Sequence, residues 1–333
     1  MSSTNIPSFP PLVCSVDHLE LREAVGAGEL DCAAGHRYQI RLGIPRLLAS
    51  KSSYADAFGV QWHEYRATQL DSYTKTTISR DRLRRCLGED LWYRLQEKSR
   101  VDVLETGCGA GRFTEVLLQL PAAFVTSADL SSAVEPNQVN CPQFERHRIV
   151  QCDINQLPFL PEQYDIVVCL GVIQHTKDPE KTITDLYRQV KPGGWLVIDH
   201  YAHSLSLYTR FAELLLRPIL KRLPPAKGIA ATKALTRFFF PAHRAARHVR
   251  LLQIILSRFS PLLTYYHAFP QLSDRLQYEW AELDTHDSLT DYYKHARSRR
   301  AVAVMIHSLK AQNAWVNRGG NGIEARCQKP APR

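Results

Sequence analysis

Three features that would assign the chain to a special class of protein are missing from its sequence. No run of about 18 uncharged apolar residues occurs, which argues against a transmembrane helix. The first eleven residues have neither the basic nor the apolar region of a signal peptide, so we expect a cytoplasmic protein. The eight cysteines form no dense framework, so we expect buried thiols in a reducing compartment, for example Cys108, Cys152 and Cys169.

Acidic residues are almost absent from one long segment. Between Tyr201 and Ser260 there are eleven Lys or Arg and a single acid, Glu213, which gives the segment a formal charge of +10. The whole chain carries +9, so the remainder is nearly neutral at −1. The basic character of the protein therefore belongs to this segment, and any anionic partner is expected there.

A glycine-rich turn joins a predicted strand to a predicted helix. Apolar residues at 101, 103 and 104 predict the strand, and the pattern over 114–120 predicts the helix. Between them lie three alternating glycines, Gly107, Gly109 and Gly111. A dinucleotide site would need its third glycine at position 112, which is Arg112. Glu105 would repel a phosphate but attract a cationic amino group, so the turn predicts a cradle for a ligand of that kind.

The Glu-x-Gly-x-Gly-x-Gly pattern resembles the first motif of the class I S-adenosylmethionine-dependent methyltransferases. Strands and helices alternate regularly up to residue 200, which independently predicts a parallel sheet with right-handed crossovers. The resemblance implies an α/β fold with a Rossmann-like sheet of seven strands, mostly parallel and with an antiparallel last strand. It also implies S-adenosylmethionine as cofactor, with contacts from Glu105, Gly107, Gly109, Gly111, Asp129, Leu130, Asp153, Ile154, Leu170 and Gly171.

Acidic residues end two further predicted strands. Asp129 follows strand 123–128, where a carboxylate can accept both ribose hydroxyls because ligands bind beyond the carboxyl ends of parallel strands. Asp153 follows strand 146–151 and is positioned for the adenine amino group, while Ile154 would pack on the ring. The alternative for each acid is a role as a helix cap or turn residue. The order of the three strand-end acids nevertheless matches the family and favours the cofactor interpretation.

His175 is the candidate general base. The segment Gly171-Val-Ile-Gln-His175 follows a buried strand and resembles the Gly-Val-Leu-His-His segment of the family, in which the histidine faces the pocket. The ordinary pKa of histidine lies near neutrality, which suits proton transfer. The alternative is that methyl transfer from a sulfonium needs only alignment, and that His175 forms local hydrogen bonds.

The N-terminal residues 12–47 resemble the small zinc-ribbon-like module that precedes some bacterial methyltransferase domains. Cys32 and His36 match its second half, whereas the first half offers only Cys14 with Asp17 or His18. Zinc held by Cys14, Cys32, His36 and one of the other two is one outcome. A ribbon that has lost its metal and is stabilised by packing is the other.

After residue 200 the alternation breaks for about 90 residues, which is too long for an ordinary connection. Amphipathic patterns predict helices over 205–220 and 248–259, separated by Pro224-Pro225 and by Phe238-Phe-Phe-Pro241. We favour a lid over an anionic or lipid-linked acceptor. The other interpretations are a helix on an anionic membrane surface, a solvated basic face and, least favoured because no RNA-binding module is recognisable, contact with nucleic acid.

Four further residues are candidates for contact with the acceptor. Trp62 lies in a polar and aromatic helical region before the first strand, and Tyr201 follows the fifth strand. Asp284 and His286 belong to a Leu-Asp-Thr-x-Asp-x-Leu stretch that resembles one found in the same group of methyltransferases. Surface caps and turns use the same residue types, which is the alternative interpretation of this stretch.

These observations divide the chain into a ribbon at 1–50, a helical cap at 51–100, a cofactor-binding core at 101–200, a basic helical insert at 201–290, and a last helix with closing hairpin at 291–333. The predicted function is methyl transfer to a small-molecule, saccharide or lipid-linked acceptor under the insert, by a protein in the cytoplasm or peripheral to the inner membrane surface. The alternative is a non-catalytic scaffold, or a membrane-surface binding protein, that uses the basic insert. The acceptor, the methylated atom and the oligomeric state are left open.

Overall fold

The computed structural model describes residues 9–23, 28–48 and 54–331. Predictions that fall on 1–8, 24–27, 49–53 and 332–333, including most of the stretch tested for signal-peptide features, lie outside the described residues. The strands are β1 Arg22–Glu23, β2 Glu29–Asp31, β3 Arg37–Arg41, β4 Ile44–Leu47, β5 Val101–Thr106, β6 Ala123–Asp129, β7 His147–Cys152, β8 Tyr164–Cys169, β9 Val190–His200, β10 Gln312–Gly319 and β11 Gly322–Gln328.

The helices surround the sheet and fill the region after β9. They are α1 Asp56–Glu64, α2 Asp71–Thr74, α3 Ile78–Leu87, α4 Glu89–Gln96, α5 Thr114–Leu118, α6 Val134–Asn140, α7 Pro179–Gln189, α8 Leu205–Thr209, α9 Phe211–Leu220, α10 Pro225–Ala245, α11 Arg250–Phe259, α12 Asp274–Thr290 and α13 Arg299–Ser308, with a short 3-10 turn at Ile173–His175. Among the described residues, no helix is both long and apolar enough to cross a bilayer.

Seven strands form the sheet that the sequence predicts. Their order is β7-β6-β5-β8-β9-β11-β10, and β5 to β9 are all parallel. β11 inserts antiparallel between β9 and β10, with Ala325 opposite Ile198. The apolar runs of β5 and β8 explain their central position, because strands covered by helices on both faces have no solvent-facing side. The predicted Rossmann-like fold with an antiparallel last strand is confirmed.

The ribbon is attached to this sheet rather than standing apart from it. β1 to β4 form an antiparallel meander, and β4 pairs in parallel with β7, where Leu47 lies opposite Cys152. The continuous sheet therefore has eleven strands. Cys14, Cys32 and Tyr38 join one of the two main hydrophobic clusters of the protein, so the ribbon shares the core of the parallel sheet.

Two segments differ from what local residue preferences favour. The residues Lys191-Pro-Gly-Gly194 are typical of a turn but form a bulge within β9: the register slips between Tyr164 and Ile166 of β8, and Gly193 adopts φ +79°. The Phe238–Pro241 stretch, expected to separate helices, lies inside the 21-residue α10. Buried Phe240 packs there against Tyr278, and this tertiary packing outweighs the missing N–H of the proline.

Candidate functional site

A cavity of about 970 Å³ lies at the carboxyl ends of β5, β6, β8 and β9. Its walls come from four parts of the chain: the glycine turn and strand ends of the sheet, the helical cap before β5, the insert after β9, and the C-terminal region with the turn between β10 and β11. Binding pockets usually measure roughly 300–1,000 Å³, so this volume suits a cofactor together with a small acceptor. The cavity is therefore the candidate active site.

The glycine turn forms the floor of the cavity. Gly107 has φ +67°, and a Cβ there would stand 2.1 Å from Val172. Gly109 has φ +50°, and a Cβ there would stand 3.0 Å from the indole of Trp62. Both positions therefore need glycine for conformation and for space. Trp62 lines the cavity and lies against the turn, which is compatible with its predicted contact to the acceptor.

Glu105 is buried directly beneath this floor. Its Oε2 accepts hydrogen bonds from Thr114 Oγ1 at 2.6 Å and from Ser127 Oγ at 3.2 Å. Its Oε1 is buried without a hydrogen-bond partner among the described residues. Burial raises the pKa of Glu105 to about 7, although the two hydroxyls oppose the shift. An orphaned carboxylate oxygen of this kind fits a cationic amino group brought by a ligand.

Asp129 lines the cavity at the end of β6. Its two oxygens are aimed by main-chain groups, since Gly109 N donates to Oδ2 at 2.9 Å and Ser131 N donates to Oδ1 at 2.8 Å. Burial raises the pKa of Asp129 against these bonds. Leu130 and Ile154 line the cavity beside it.

Three of the predicted cofactor residues do not line the cavity that the described residues form: Glu105, Gly111 and Asp153. Gly111 faces Cys141, and Asp153 accepts from Asn155 N at 2.8 Å, which is the turn role that the sequence left as an alternative. Leu170 and Gly171 do line it. Gly171 N donates to Asp199 Oδ1 at 2.6 Å, and Asp199 is paired in turn with Arg82, a buried anchor that the sequence did not indicate.

His175 lies in the cavity wall, packed edge-on against Phe58 and Tyr201 with ring centroids 5.4 Å away in each case. Its Nδ1 is 3.2 Å from the carbonyl oxygen of Tyr293 and 3.2 Å from Asp291 Oδ2. Both partners are acceptors, so we assign the proton of the neutral ring to Nδ1, which leaves Nε2 as the basic nitrogen.

Carboxylates surround His175 on the insert side. Burial alone would lower the pKa of His175, but the charges of Asp287 and Asp291 outweigh it and raise the pKa. Burial would raise the pKa of Asp291, yet His175, Lys294 and Arg217 together lower it. The sequence did not single out either acid as a partner of His175. Their spacing from Asp284, at three and seven residues, is the helical signal that was available.

The two acceptor candidates on α12, Asp284 and His286, lie on different faces of the helix. Asp284 lines the cavity with Tyr201, accepts from Tyr265 Oη and from Gln69 Nε2, and burial raises its pKa to about 6. His286 was predicted to line the same pocket, but this prediction was wrong. Two residues along a helix turn a side chain to the other face, where His286 Nδ1 is 2.8 Å from Gln61 Oε1 and the ring is fully buried.

A second cluster of candidate ligands lies in the ribbon, away from the cavity. Cys14, Asp17, Cys32 and His36 each bring one ligand atom, and these atoms lie within 4.8 Å of one another. His36 Nδ1 is 2.9 Å from Asp17 Oδ2 and 3.5 Å from each of the two sulfurs. His18 is exposed and is not part of this cluster, so the geometry favours Asp17 as the fourth ligand.

Comparison with known proteins agrees with this geometry. A family model described as "Methyltransferase domain" matches residues 104–198. The chain is 30% identical over 177 residues to the ubiquinone biosynthesis O-methyltransferase of Pseudomonas putida, an alignment that covers 49% of this chain and 71% of that protein. This chain belongs to the class I S-adenosylmethionine-dependent methyltransferases.

This methyltransferase is also similar to one further curated protein and to one solved structure. The protein named ubiquinone biosynthesis O-methyltransferase in Pseudomonas savastanoi pv. phaseolicola is 28% identical over 172 residues, covering 49% of this chain and 71% of that one. A solved S-adenosylmethionine-dependent methyltransferase from Aquifex aeolicus has a TM-score of 0.39 and 13% identity, covering 74% of this chain and 91% of that one.

The residues of this methyltransferase fit S-adenosylmethionine in charge and shape. Asp129 in the cavity wall suits the ribose hydroxyls, whereas the orphaned Oε1 of Glu105, the acid predicted for the amino group, lies beneath the glycine floor. Leu130 and Ile154 offer apolar contact for the adenine ring, and the glycine floor leaves room for the ligand. These individual roles stay predictions, whereas the class of cofactor follows from the family.

Proposed function

We propose that this methyltransferase transfers a methyl group to a hydroxyl oxygen of a small acceptor held in the cavity under the insert at 201–290, with His175 as general base. The observation that carries the proposal is the position of His175 in the cavity wall with Nδ1 3.2 Å from both Tyr293 O and Asp291 Oδ2, from which we assign the basic lone pair to Nε2. A buried basic Nε2 in the wall of a methyltransferase cavity suits removal of a hydroxyl proton. The name O-methyltransferase carried by the relatives from Pseudomonas supports this choice of atom.

The lining of the cavity favours a flat, largely apolar acceptor over a saccharide. The aromatic side chains in its wall are Tyr54, Phe58, Trp62, Phe113, Tyr201, Tyr265, Phe269 and Trp280. Rings of this kind stack on or pack around an aromatic acceptor. Asp284 and its partner Tyr265 supply the polar end of the same wall and would orient a second polar group of the acceptor.

The chain itself binds and orients the two reactants and removes a proton from the acceptor. When bound, S-adenosylmethionine supplies an electrophilic methyl group on a sulfonium sulfur. The aromatic wall and Trp62 exclude water from the acceptor, and alignment of the two reactants provides much of the acceleration. Nε2 of His175 takes the hydroxyl proton, and Asp287 and Asp291 stabilise the imidazolium that forms. The positive charge that His175 gains is thus met by Asp291, which is 3.2 Å from Nδ1, and by the nearby charge of Asp287.

The test is the release of S-adenosylhomocysteine with a panel of catechols, phenols and saccharides. Because the base must be neutral and its pKa is raised above 6.5, we expect kcat/KM with a phenolic acceptor to increase with pH through that raised value. His175→Gln should lower kcat by roughly 10²- to 10⁴-fold and abolish this pH dependence. His307→Gln, at an exposed histidine of α13, is the matched control. An unchanged rate and pH profile in His175→Gln would contradict the assignment of the base.

We also propose that the ribbon binds one zinc ion through Cys14, Asp17, Cys32 and His36. Two thiolates, an imidazole and a carboxylate form a four-ligand set suited to a closed structural site, and such an ion would join the turns that carry these residues. Metal analysis of the purified protein should give one zinc per chain. Cys32→Ser should lose it, whereas His18→Ala should retain it, and a wild-type protein that neither contains nor takes up zinc would refute the site.

A further inference from the structure

Helices α9 and α11 of the insert expose a continuous row of large apolar side chains. On α9 these residues follow a spacing of three and four, and on α11 they again lie on the exposed side of the helix. The rings of Phe211 and Phe259 meet at 6.0 Å and join the two rows. We call this surface the apolar face, formed by Phe211, Leu214, Leu215, Ile219, Leu251, Leu252, Ile255 and Phe259.

The apolar face is exposed to an extent that is unusual for a water-facing surface. Leu215 is 74% exposed and Leu251 is 66% exposed, and α8 beside them adds Leu205 at 76%. Single exposed apolar residues are ordinary, but a contiguous patch of this kind marks an interaction site. Three positions within these helices are buried, namely Glu213, Leu220 and Gln253, so most of the apolar residues of α9 and α11 lie on the exposed side.

The charges of the insert that carries the apolar face indicate the chemistry of the partner. Of the eleven cations in residues 201–260, four form ion pairs, namely Arg210, Arg217, Lys233 and Arg244. The other seven have no ion-pair partner among the described residues: Lys221, Arg222, Lys227, Arg237, Arg247, Arg250 and Arg258. The single acid of the segment, Glu213, is buried and already paired. A partner must therefore be apolar and negatively charged at once.

We propose that α8, α9 and α11 form a membrane-docking surface, whose apolar face enters an anionic lipid bilayer while the cations on or directly after these helices, Lys221, Arg222, Arg250 and Arg258, contact the lipid headgroups. Amphipathic helices with apolar residues on one side and Lys and Arg beside them bind in this way at the headgroup boundary. A second copy of this chain is a poorer occupant, because two surfaces with the same unpaired cations would repel each other. The proposal needs neither cofactor nor acceptor.

The same helices border the cavity. Leu207 of α8 and Arg210, at the start of α9, line the cavity wall, while Leu205 and Phe211 point to the outside. A bilayer against α8 and α9 would thus lie next to the acceptor pocket, and an apolar acceptor dissolved in the lipid could enter without crossing water. This last step rests on the proposed function, whereas docking itself does not.

The test is flotation of the full-length protein with vesicles of phosphatidylcholine, with and without phosphatidylglycerol. We expect binding to the anionic vesicles at low salt, and weaker binding at high salt because salt screens the headgroup contacts. Leu215→Glu combined with Leu251→Glu should reduce the bound fraction at least about tenfold. Val304→Glu makes the same change at a 60% exposed apolar position of α13 and should leave binding unchanged.

Three results would overturn the proposal. They are equal binding to neutral and anionic vesicles, no binding to either, and undiminished binding by the double variant. A dimer in sedimentation that the double variant dissociates, without any vesicle binding, would instead identify a second copy as the occupant. Titration of S-adenosylhomocysteine in the absence of vesicles reports on the cofactor site separately, so failure of docking and failure of the proposed function are distinguishable.

Discussion

The cofactor-binding core at 101–200 and the insert at 201–290 have similar lengths but differ in how many large apolar side chains they expose. In the core, the large apolar residues that are exposed are only Val139, Phe144 and Leu160. In the insert there are thirteen, and most lie on α8, α9 and α11. The apolar residues of the core are therefore placed to stabilise the fold. Many apolar residues of the insert are instead left on a surface that the fold does not bury.

The two regions meet along α12, which behaves like core rather than like the rest of the insert. Trp280 is buried, and its Nε1 donates to Thr68 O of the helical cap at 2.7 Å. Farther along the helix, Tyr65 Oη donates to Glu282 at 3.3 Å, and Asp291 contacts His175 of the core. α12 therefore connects the insert to the core and to the helical cap. It also holds the carboxylates near the proposed base in place.

The largest contrast between the regions should appear when leucines are truncated. Leu117 in α5 is fully buried, so Leu117→Ala should lower the free energy of unfolding by about 2–5 kcal/mol through lost burial and a cavity. Leu215→Ala on the exposed apolar face should change it by less than about 0.5 kcal/mol. Urea denaturation without vesicles measures both. Similar losses for the two variants would mean that the apolar face is buried in solution and would remove the contrast.

The fold of the core could be predicted because the residues needed for its strands and turns are also the candidate cofactor residues. A glycine needed for a positive φ, an acid at a strand end and a buried apolar run each leave a local pattern, and these patterns led to Gly107, Asp129 and β8. The family relationship agrees with the fold obtained from them. The seven-stranded sheet could thus be predicted from residues close together in sequence.

The site in the insert could be predicted only in part, because its residues converge from distant elements. The bond between Tyr265 and Asp284 and the contact between His175 and Asp291 depend on how α12 is rotated, which no local pattern specifies. The choice of His286 as a pocket residue failed for this reason. α10 was missed because proline is ordinarily a helix breaker, whereas Phe240 provides packing that compensates for Pro241.

A buried ionisable group in the core should make the free energy of unfolding depend on pH, whereas the surface cations of the insert should not. The pKa of Glu105 is raised by burial from 4.5 to about 7, so the folded protein holds a proton that the unfolded chain releases between these values. The free energy of unfolding of the cofactor-free protein should therefore fall between pH 4.5 and 7, by at most about 3 kcal/mol.

Glu105→Gln should remove this slope and make the cofactor-free protein more stable than wild type above pH 7, because the amide never ionises and still accepts from Thr114. The exposed Glu145→Gln is the matched control and should keep the wild-type slope. Thermal unfolding followed across this pH range provides the measurement. A slope that survives in Glu105→Gln would mean that another group is responsible.

Cofactor affinity should depend on the acid of the core that lines the cavity and not on one that only caps a helix. Asp129→Ala removes the acceptors predicted for the ribose hydroxyls and the support of Gly109 N, so binding of S-adenosylhomocysteine should weaken roughly 100-fold. Asp178→Ala removes the cap of α7, where Oδ1 accepts from Lys181 N at 2.9 Å, and should leave affinity unchanged. Isothermal titration calorimetry distinguishes them, and equal losses would refute the assigned site.

The smallest expected effect tests whether the core and the insert unfold together. Asp178 caps α7 in the core, and Ser273 caps α12 in the insert by accepting from Leu276 N at 3.3 Å. Replacing either by alanine should lower the free energy of unfolding by about 1 kcal/mol. Because Trp280 ties α12 to Thr68, we expect both variants to shift one cooperative transition by similar amounts when tryptophan fluorescence and circular dichroism are followed in urea. A separate early transition that only Ser273→Ala moves would show that the insert unfolds as an independent unit. The membrane-docking surface would then belong to a part of the protein that moves relative to the cofactor site.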